Sequence, residues 1–184
     1  MKKILIALLP LIYYCVKPLN HDKARIKKGE NFYSGFEGFY TKSYSDFRSY
    51  GIIGTIGAYY GLSENLALGV EVSAGSESYE ESKTWFWPLF HGYGFIKFSY
   101  PFSYYILSIK GGAGYPDRLK LGILLGIPDT EKFTISYFRY YPNLNLFSLS
   151  IQMTKNAFLS TGFIFYISSI YYLVSFKLGI SLRN

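Results

Sequence analysis

Leu66-Ala67-Leu68-Gly69-Val70-Glu71-Val72-Ser73-Ala74-Gly75 alternates without a slip: every even position is apolar and every odd position is small or charged. Successive side chains of a strand leave opposite faces, so one face is oily and the other is Ala, Gly, Glu, Ser, Gly. A soluble sandwich can contain one such strand. Here the pattern returns in segments of about ten residues, each closed by turn residues, which is the cumulative signature of a transmembrane β-barrel.

Working outward from that segment, alternation and chain breakers predict ten strands, at about 31–41, 49–60, 65–75, 88–100, 103–113, 118–127, 132–141, 145–154, 157–167 and 170–182. The count falls to eight if two marginal segments do not cross. Gly61-Leu62-Ser63-Glu64-Asn65, Pro101-Phe102-Ser103, Pro128-Asp129-Thr130-Glu131 and Thr154-Lys155-Asn156 form one set of tight turns. The connections 43–49, 76–84, 115–117 and 142–143 form a second, longer set. Short turns on one side and longer loops on the other suit a closed antiparallel barrel. The expected fold class is therefore all-β, and a chain of 184 residues makes one such domain.

Charge placement tests the phase. A Lys or Arg on the lipid face at mid-membrane costs roughly 2–4 kcal/mol. In the sixth strand Leu119, Leu121, Ile123, Leu125 and Ile127 share one face, while Lys120 shares the other with Gly122 and Gly126. Lys177 stands opposite Phe176, Leu178, Ile180 and Leu182. The same reasoning turns Glu37, Glu71, Lys97 and Lys110 inward, and leaves Arg139 outward at a strand end. Those six inward charges, four lysines against two glutamates, are expected to pair as an ionic plug. The alternative is a narrow, weakly anion-selective pore.

Aromatic residues make up 21% of the chain and charged residues 17%, against roughly 25% charged in an ordinary soluble domain. Tyr59-Tyr60, Tyr104-Tyr105, Tyr140-Tyr141 and Tyr171-Tyr172 sit at strand ends, with Trp85 and Trp87 near the start of the fourth strand. They are expected to form girdles at the two membrane interfaces, where an aromatic ring meets lipid and its polar tip meets water.

Met1-Lys2-Lys3 followed by the uncharged run Ile4 to Val16 reads as a secretory signal over 1–16. Cys15, the single cysteine, raises a lipidation site, although bulky Tyr13 and Tyr14 precede it. Residues 17–30 carry Lys17, Lys23, Arg25, Lys27 and Lys28 and are expected to be a basic, solvated periplasmic tether ahead of a barrel over 31–184. The net charge of +7 gathers largely in these N-terminal segments, with no recognisable nucleic-acid motif, so no nucleic-acid partner is expected.

With leader, strands and girdles in place, residues 30–184 resemble the small outer-membrane β-barrel proteins of bacteria. The final strand is similar to the insertion signal of that superfamily at Lys177, Gly179 and Leu182, though the chain ends on Asn184 rather than an aromatic. The resemblance implies a bacterial outer-membrane location, with outer-membrane lipid and the barrel assembly machinery as partners.

A rival architecture exists, because residues 157–176 carry no charge and twenty such residues can span a membrane as a helix, which would make an inner-membrane protein. Phe, Tyr and Ile in that stretch favour strands, and Ser168-Ser169 falls where a hairpin turn belongs. Chemistry is sparse. His21 lies in the basic segment, and His91 is in phase with Tyr93 and Lys97, facing the lumen or its rim. Barrel-embedded acyl-chain hydrolases pair a strand His with a Ser two residues later; here the sequence is His91-Gly92-Tyr93. No catalytic, cofactor or metal site is expected. The loop Ser76 to Lys83, with Glu77, Glu80 and Glu81, is the longest presumed outer loop and a candidate for contact with an unknown ligand or with divalent cations. The function expected is a non-enzymatic structural or surface-interaction role.

Overall fold

The computed structural model describes residues 17–19, 21–43, 48–80, 86–116, 118–127, 132–140, 144–154, 156–167 and 172–183. The expected signal peptide over 1–16, with Cys15, lies outside them. Ten strands are present: β1 (Gly29–Ser43), β2 (Arg48–Gly61), β3 (Leu66–Tyr79), β4 (Phe86–Pro101), β5 (Ile106–Tyr115), β6 (Lys120–Gly126), β7 (Phe133–Tyr140), β8 (Leu144–Gln152), β9 (Ala157–Ile167) and β10 (Tyr172–Arg183). Each pairs antiparallel with its neighbour in sequence, and β1 pairs with β10 from Tyr33↔Arg183 to Ser43↔Leu173, closing the barrel. Closure leaves no sheet edge, so every ladder satisfies its own polar backbone, the condition for crossing lipid with strands.

Alternation sets which way each side chain points. Along β7, Phe133, Ile135, Tyr137 and Arg139 are exposed while Thr134, Ser136, Phe138 and Tyr140 are buried. The outer wall is a belt of exposed apolar side chains, among them Phe36, Ile56, Val70, Phe98, Ile123 and Ile180. A water-soluble monomer rarely exposes an apolar patch larger than a few hundred Å². The polar side chains are instead inside, where Thr55 pairs with Ser73 at 2.8 Å, Ser136 with Ser148 at 2.6 Å and Ser150 with Ser160 at 2.8 Å.

Residues 157–167 and 172–183 form an antiparallel hairpin, from Leu182↔Ala157 to Tyr172↔Ile167, which overturns the helix considered for 157–176. No helix among the described residues is long and apolar enough to cross a membrane. The period of two in Phe176, Leu178, Ile180 and Leu182 decides the matter, since a spanning helix has no need to alternate.

Turns account for the differences in strand limits. β5 starts at Ile106 rather than 103 because Phe102 N donates to Tyr105 O at 2.8 Å and the two rings stack at 4.6 Å. Ser63 Oγ accepts from Asn65 N and Leu66 N at 3.2 and 3.1 Å, holding the turn into β3. Gly29 opens β1 at φ 89°, a left-handed conformation that side chains oppose. The wall is uneven in height: β1 to β4 have 14–16 residues, whereas β6, β7 and β8 have 7, 8 and 9.

Candidate functional site

The lumen holds what chemistry the chain has. Glu37, Glu71, Lys97, Lys110, Lys120 and Lys177 all project into it and none is more than 2% exposed. They form two clusters. In the first, Lys177 Nζ lies 2.7 Å from Glu37 Oε1. In the second, Glu71 accepts from Tyr33 Oη at 2.6 Å, Lys110 Nζ at 3.0 Å and Lys120 Nζ at 2.8 Å. Aromatic rings complete the surroundings of each cation, with Lys110 Nζ 3.9 Å from the centre of Phe95 and Lys120 Nζ 4.8 Å from that of Phe138. Such packing stabilises a desolvated cation by about 0.5–2 kcal/mol.

The expected solvated tether is corrected here. Lys17, Leu19, His21, Asp22, Ala24 and Ile26 are buried inside the barrel. Leu19 N donates to Glu37 Oε2 at 2.7 Å, and His21 Nε2 stands 3.3 Å from the same oxygen. Asp22 reaches Lys97 at 3.1 Å and Lys110 at 3.6 Å, joining the second cluster. Lys97 Nζ also donates to the carbonyl of Lys23, while Ser99 and Ser108 donate to that of Ala24. Leu19 and Ala24 belong to one apolar cluster with Phe138, Leu146 and Ile164, and Ile26 to another with Tyr33, Tyr59 and Phe95. Full burial of a side chain the size of Leu or Ile is worth about 1.5–3 kcal/mol. Of the segment's described residues, Arg25, Lys27 and Lys28 are exposed and Lys23 half-buried.

Glycines in the wall make the room. A Cβ on Gly126 would stand 2.8 Å from Ala24 Cβ, one on Gly162 would stand 2.6 Å from Leu19 Cδ2, and one on Gly35 would strike the His21 ring. Gly179, part of the insertion signal, does the same for Glu37: a Cβ there would come 2.8 Å from Glu37 Cβ. In that signal Lys177 and Gly179 face inward, whereas Leu182 faces outward at 56% exposure.

The aromatic girdles need correction at two positions. Tyr59 and Tyr140 point into the lumen, 7% and 0% exposed. Lys97 lies over the Tyr59 ring at 5.1 Å, and Lys120 over the Tyr140 ring at 5.4 Å. Adjacent strand residues face opposite ways, so a Tyr doublet within one strand cannot offer both rings to lipid. Tyr60, Tyr104 and Tyr105 are exposed, the last two in the turn before β5. Trp85, Tyr141 and Tyr171 lie outside the described residues, as do the side chains of Trp87 and Tyr172.

The acidic loop is also smaller than expected. Glu77 is buried on the inner face of β3, and exposed Glu80 stands 3.5 Å from Arg48. Glu81 lies outside the described residues. His91 is inside the barrel, 1% exposed, and neither ring nitrogen has a hydrogen-bond partner among the described residues. Among those residues no group of three or more His, Cys, Asp or Glu side chains is placed to hold a metal.

No family model and no curated protein matches the sequence. Among solved structures, an outer membrane channel from Pseudomonas putida F1 is similar over 92% of this chain and 100% of its own, at 12% identity and a TM-score of 0.54. The fold is that of outer-membrane β-barrels. Two further barrels match at a TM-score of 0.42: Ail, the attachment invasion locus protein of Yersinia pestis, at 13% identity over 86% of this chain and 100% of its own, and the KdgM porin, at 11% identity over 83% and 98%.

An outer-membrane-type barrel of ten strands lies just above the eight whose interior side chains fill. The space beyond what the wall fills is occupied here by the segment before β1. Sequence reasoning missed that segment, although Leu19, Ala24 and Ile26 interrupt its charges and glycines stand at inward positions of β1, β6 and β9.

Proposed function

We propose that this chain is a non-enzymatic barrel of a bacterial outer membrane with a structural or surface-interaction role, closed to solutes as it stands. One observation carries the reading: the apolar side chains form the outer belt, while the lumen is filled by the chain's own ion pairs and by Lys17, Leu19, His21, Asp22, Ala24 and Ile26. Outer-membrane lipid covers the belt, and the assembly machinery recognises the final strand through Lys177, Gly179 and Leu182. Neither the Glu37 nor the Glu71 cluster presents a free nucleophile beside a base, the minimum for covalent catalysis.

Purified full-length protein, refolded in detergent and reconstituted in planar bilayers, tests this. Folded protein should migrate faster unboiled than boiled and show strand signal by circular dichroism, with no single-channel steps. Identical migration before and after boiling would refute the barrel in lipid, and sustained steps would refute the closed lumen.

A further inference from the structure

We propose that the described residues 17–19 and 21–28 are a displaceable gate, and that the wall behind them is a pore for small anions. The inference rests on the reading of the chain as a membrane barrel and adds an activity to it. The ten strands hydrogen-bond into a closed cylinder without any contribution from this segment, so the segment can leave and the wall remain.

The contacts that hold the segment are of a kind that opens. Its polar links are few and separate, Leu19 N to Glu37, Asp22 to Lys97 and Lys110, and two serine hydroxyls to the carbonyl of Ala24, beside the apolar packing of Leu19, Ala24 and Ile26. The partners within the wall do not depend on them. Glu37 keeps Lys177 at 2.7 Å, and Glu71 keeps Lys110 and Lys120 at 3.0 and 2.8 Å. Departure of the segment therefore leaves Glu37 and Glu71 with their wall lysines and takes from Lys97 its contacts to Asp22 and the Lys23 carbonyl, turning that ammonium toward the vacated lumen.

The glycines show that the wall is shaped to this occupant. Gly35 on β1, Gly126 on β6 and Gly162 on β9 each face a different residue of the segment, His21, Ala24 and Leu19. Three strands spread around the barrel thus lack a side chain where the segment passes. Once it leaves, those positions line open space.

Charge sets the solute class. Among the described residues the strands turn five cations inward, Lys97, Lys110, Lys120, Lys177 and Arg183, against three carboxylates, Glu37, Glu71 and Glu77. The surplus of two positive charges favours inorganic anions and small carboxylates over cations. Asp22 is the carboxylate that the gate itself brings to Lys97 and Lys110, so gate removal takes that acceptor away from two wall lysines, while Lys17 and Lys23 leave with the segment and the wall's own surplus sets the selectivity.

Asp22→Lys puts a cation beside Lys97 and Lys110 and should expel the segment. Gly126→Leu should expel it by another route, since Ala24 Cβ is the one group within 3 Å of that site and no charge changes. Both are made in full-length protein carrying Cys15→Ser and Ala24→Cys, and both are read by planar-bilayer recording and by maleimide labelling of position 24. The unsubstituted gate should label slowly and pass no current. Each variant should label at least about tenfold faster and give steps whose reversal potential in a potassium chloride gradient favours chloride. Heat-modifiable variants that label fast yet pass no current would overturn the pore. Variants that stay unlabelled would overturn the gate, and a reversal potential favouring potassium would overturn the anion assignment. Loss of heat modifiability in the parent protein would strike the barrel reading instead.

Discussion

Glu71→Ala is expected to destabilise the barrel by about 3–5 kcal/mol, the cost of removing one partner from a buried ion pair. Glu71 is 1% exposed and accepts from three groups, Tyr33, Lys110 and Lys120. Without its carboxylate two ammonium groups face each other inside the wall, and Asp22 reaches Lys110 only at 3.6 Å. Urea titration of the protein in phospholipid micelles, followed by the shift between folded and unfolded gel bands, measures the loss. Glu71→Gln retains the shape and an acceptor for Tyr33 and should fall between Ala and the parent. Adding Lys120→Met to Glu71→Gln should recover part of the loss, because the lysine stem lies among Tyr93, Phe138 and Tyr140 and a neutral side chain of similar length fits that company. A double-substitution cycle isolates the Glu71–Lys120 coupling. A change below about 1 kcal/mol for Glu71→Ala would mean that water reaches this part of the lumen.

Ile56→Arg is expected to cost about 2–4 kcal/mol in a bilayer. Ile56 lies in the middle of β2, paired with Ser34 and Val72, and is 68% exposed on the outer wall. The same exposure in water would make the substitution nearly neutral, within about 0.5 kcal/mol. The comparison therefore asks what the outer face is dissolved in. Tyr60→Arg, near the end of the same strand, serves as the control and should cost about 0–1 kcal/mol. Reversible folding into lipid vesicles, with the two variants measured side by side, gives both values. Equal costs at positions 56 and 60 would deny the outer belt a hydrocarbon surrounding.

The strands were legible because their information is local. Lys120, Gly122, Leu124 and Gly126 alternate with Leu121, Ile123 and Leu125, and a period of two is visible in any short window. The inward position of the six charges followed from the same phase. What was hidden depends on partners remote in sequence. Residues 17–28 alternate only briefly, Asp22, Ala24 and Ile26 against Lys23, Arg25 and Lys27, and so short a run among charges reads as solvated. Its burial arises from Lys97, 75 residues beyond Asp22, and from Glu37, 18 residues beyond Leu19. Tyr59 and Tyr140 were misplaced for a different reason. Position near a strand end suggested lipid, but parity outranks position, and both rings stand over lysines inside. Phe102 and Tyr105 shifted the start of β5 because a stacked turn consumes residues that alternation alone would have assigned to the strand.

The uneven wall has a consequence for any lipid around it. A strand crosses hydrocarbon comfortably with about 9–11 residues. β6 and β7, at 7 and 8, fall short of that, while β1 to β4 exceed it by several. In a bilayer the hydrocarbon beside β6 and β7 would meet a lower wall than that beside β2 and β3, although the outward apolar row of β6 reaches from Leu119 to Ile127, and hydrophobic mismatch costs fractions of a kcal/mol per Å. A barrel so set in lipid would bend its leaflets most on the flank of its short strands. Neighbours that also thin the bilayer would be drawn to that flank, which would give the closed barrel a preferred side.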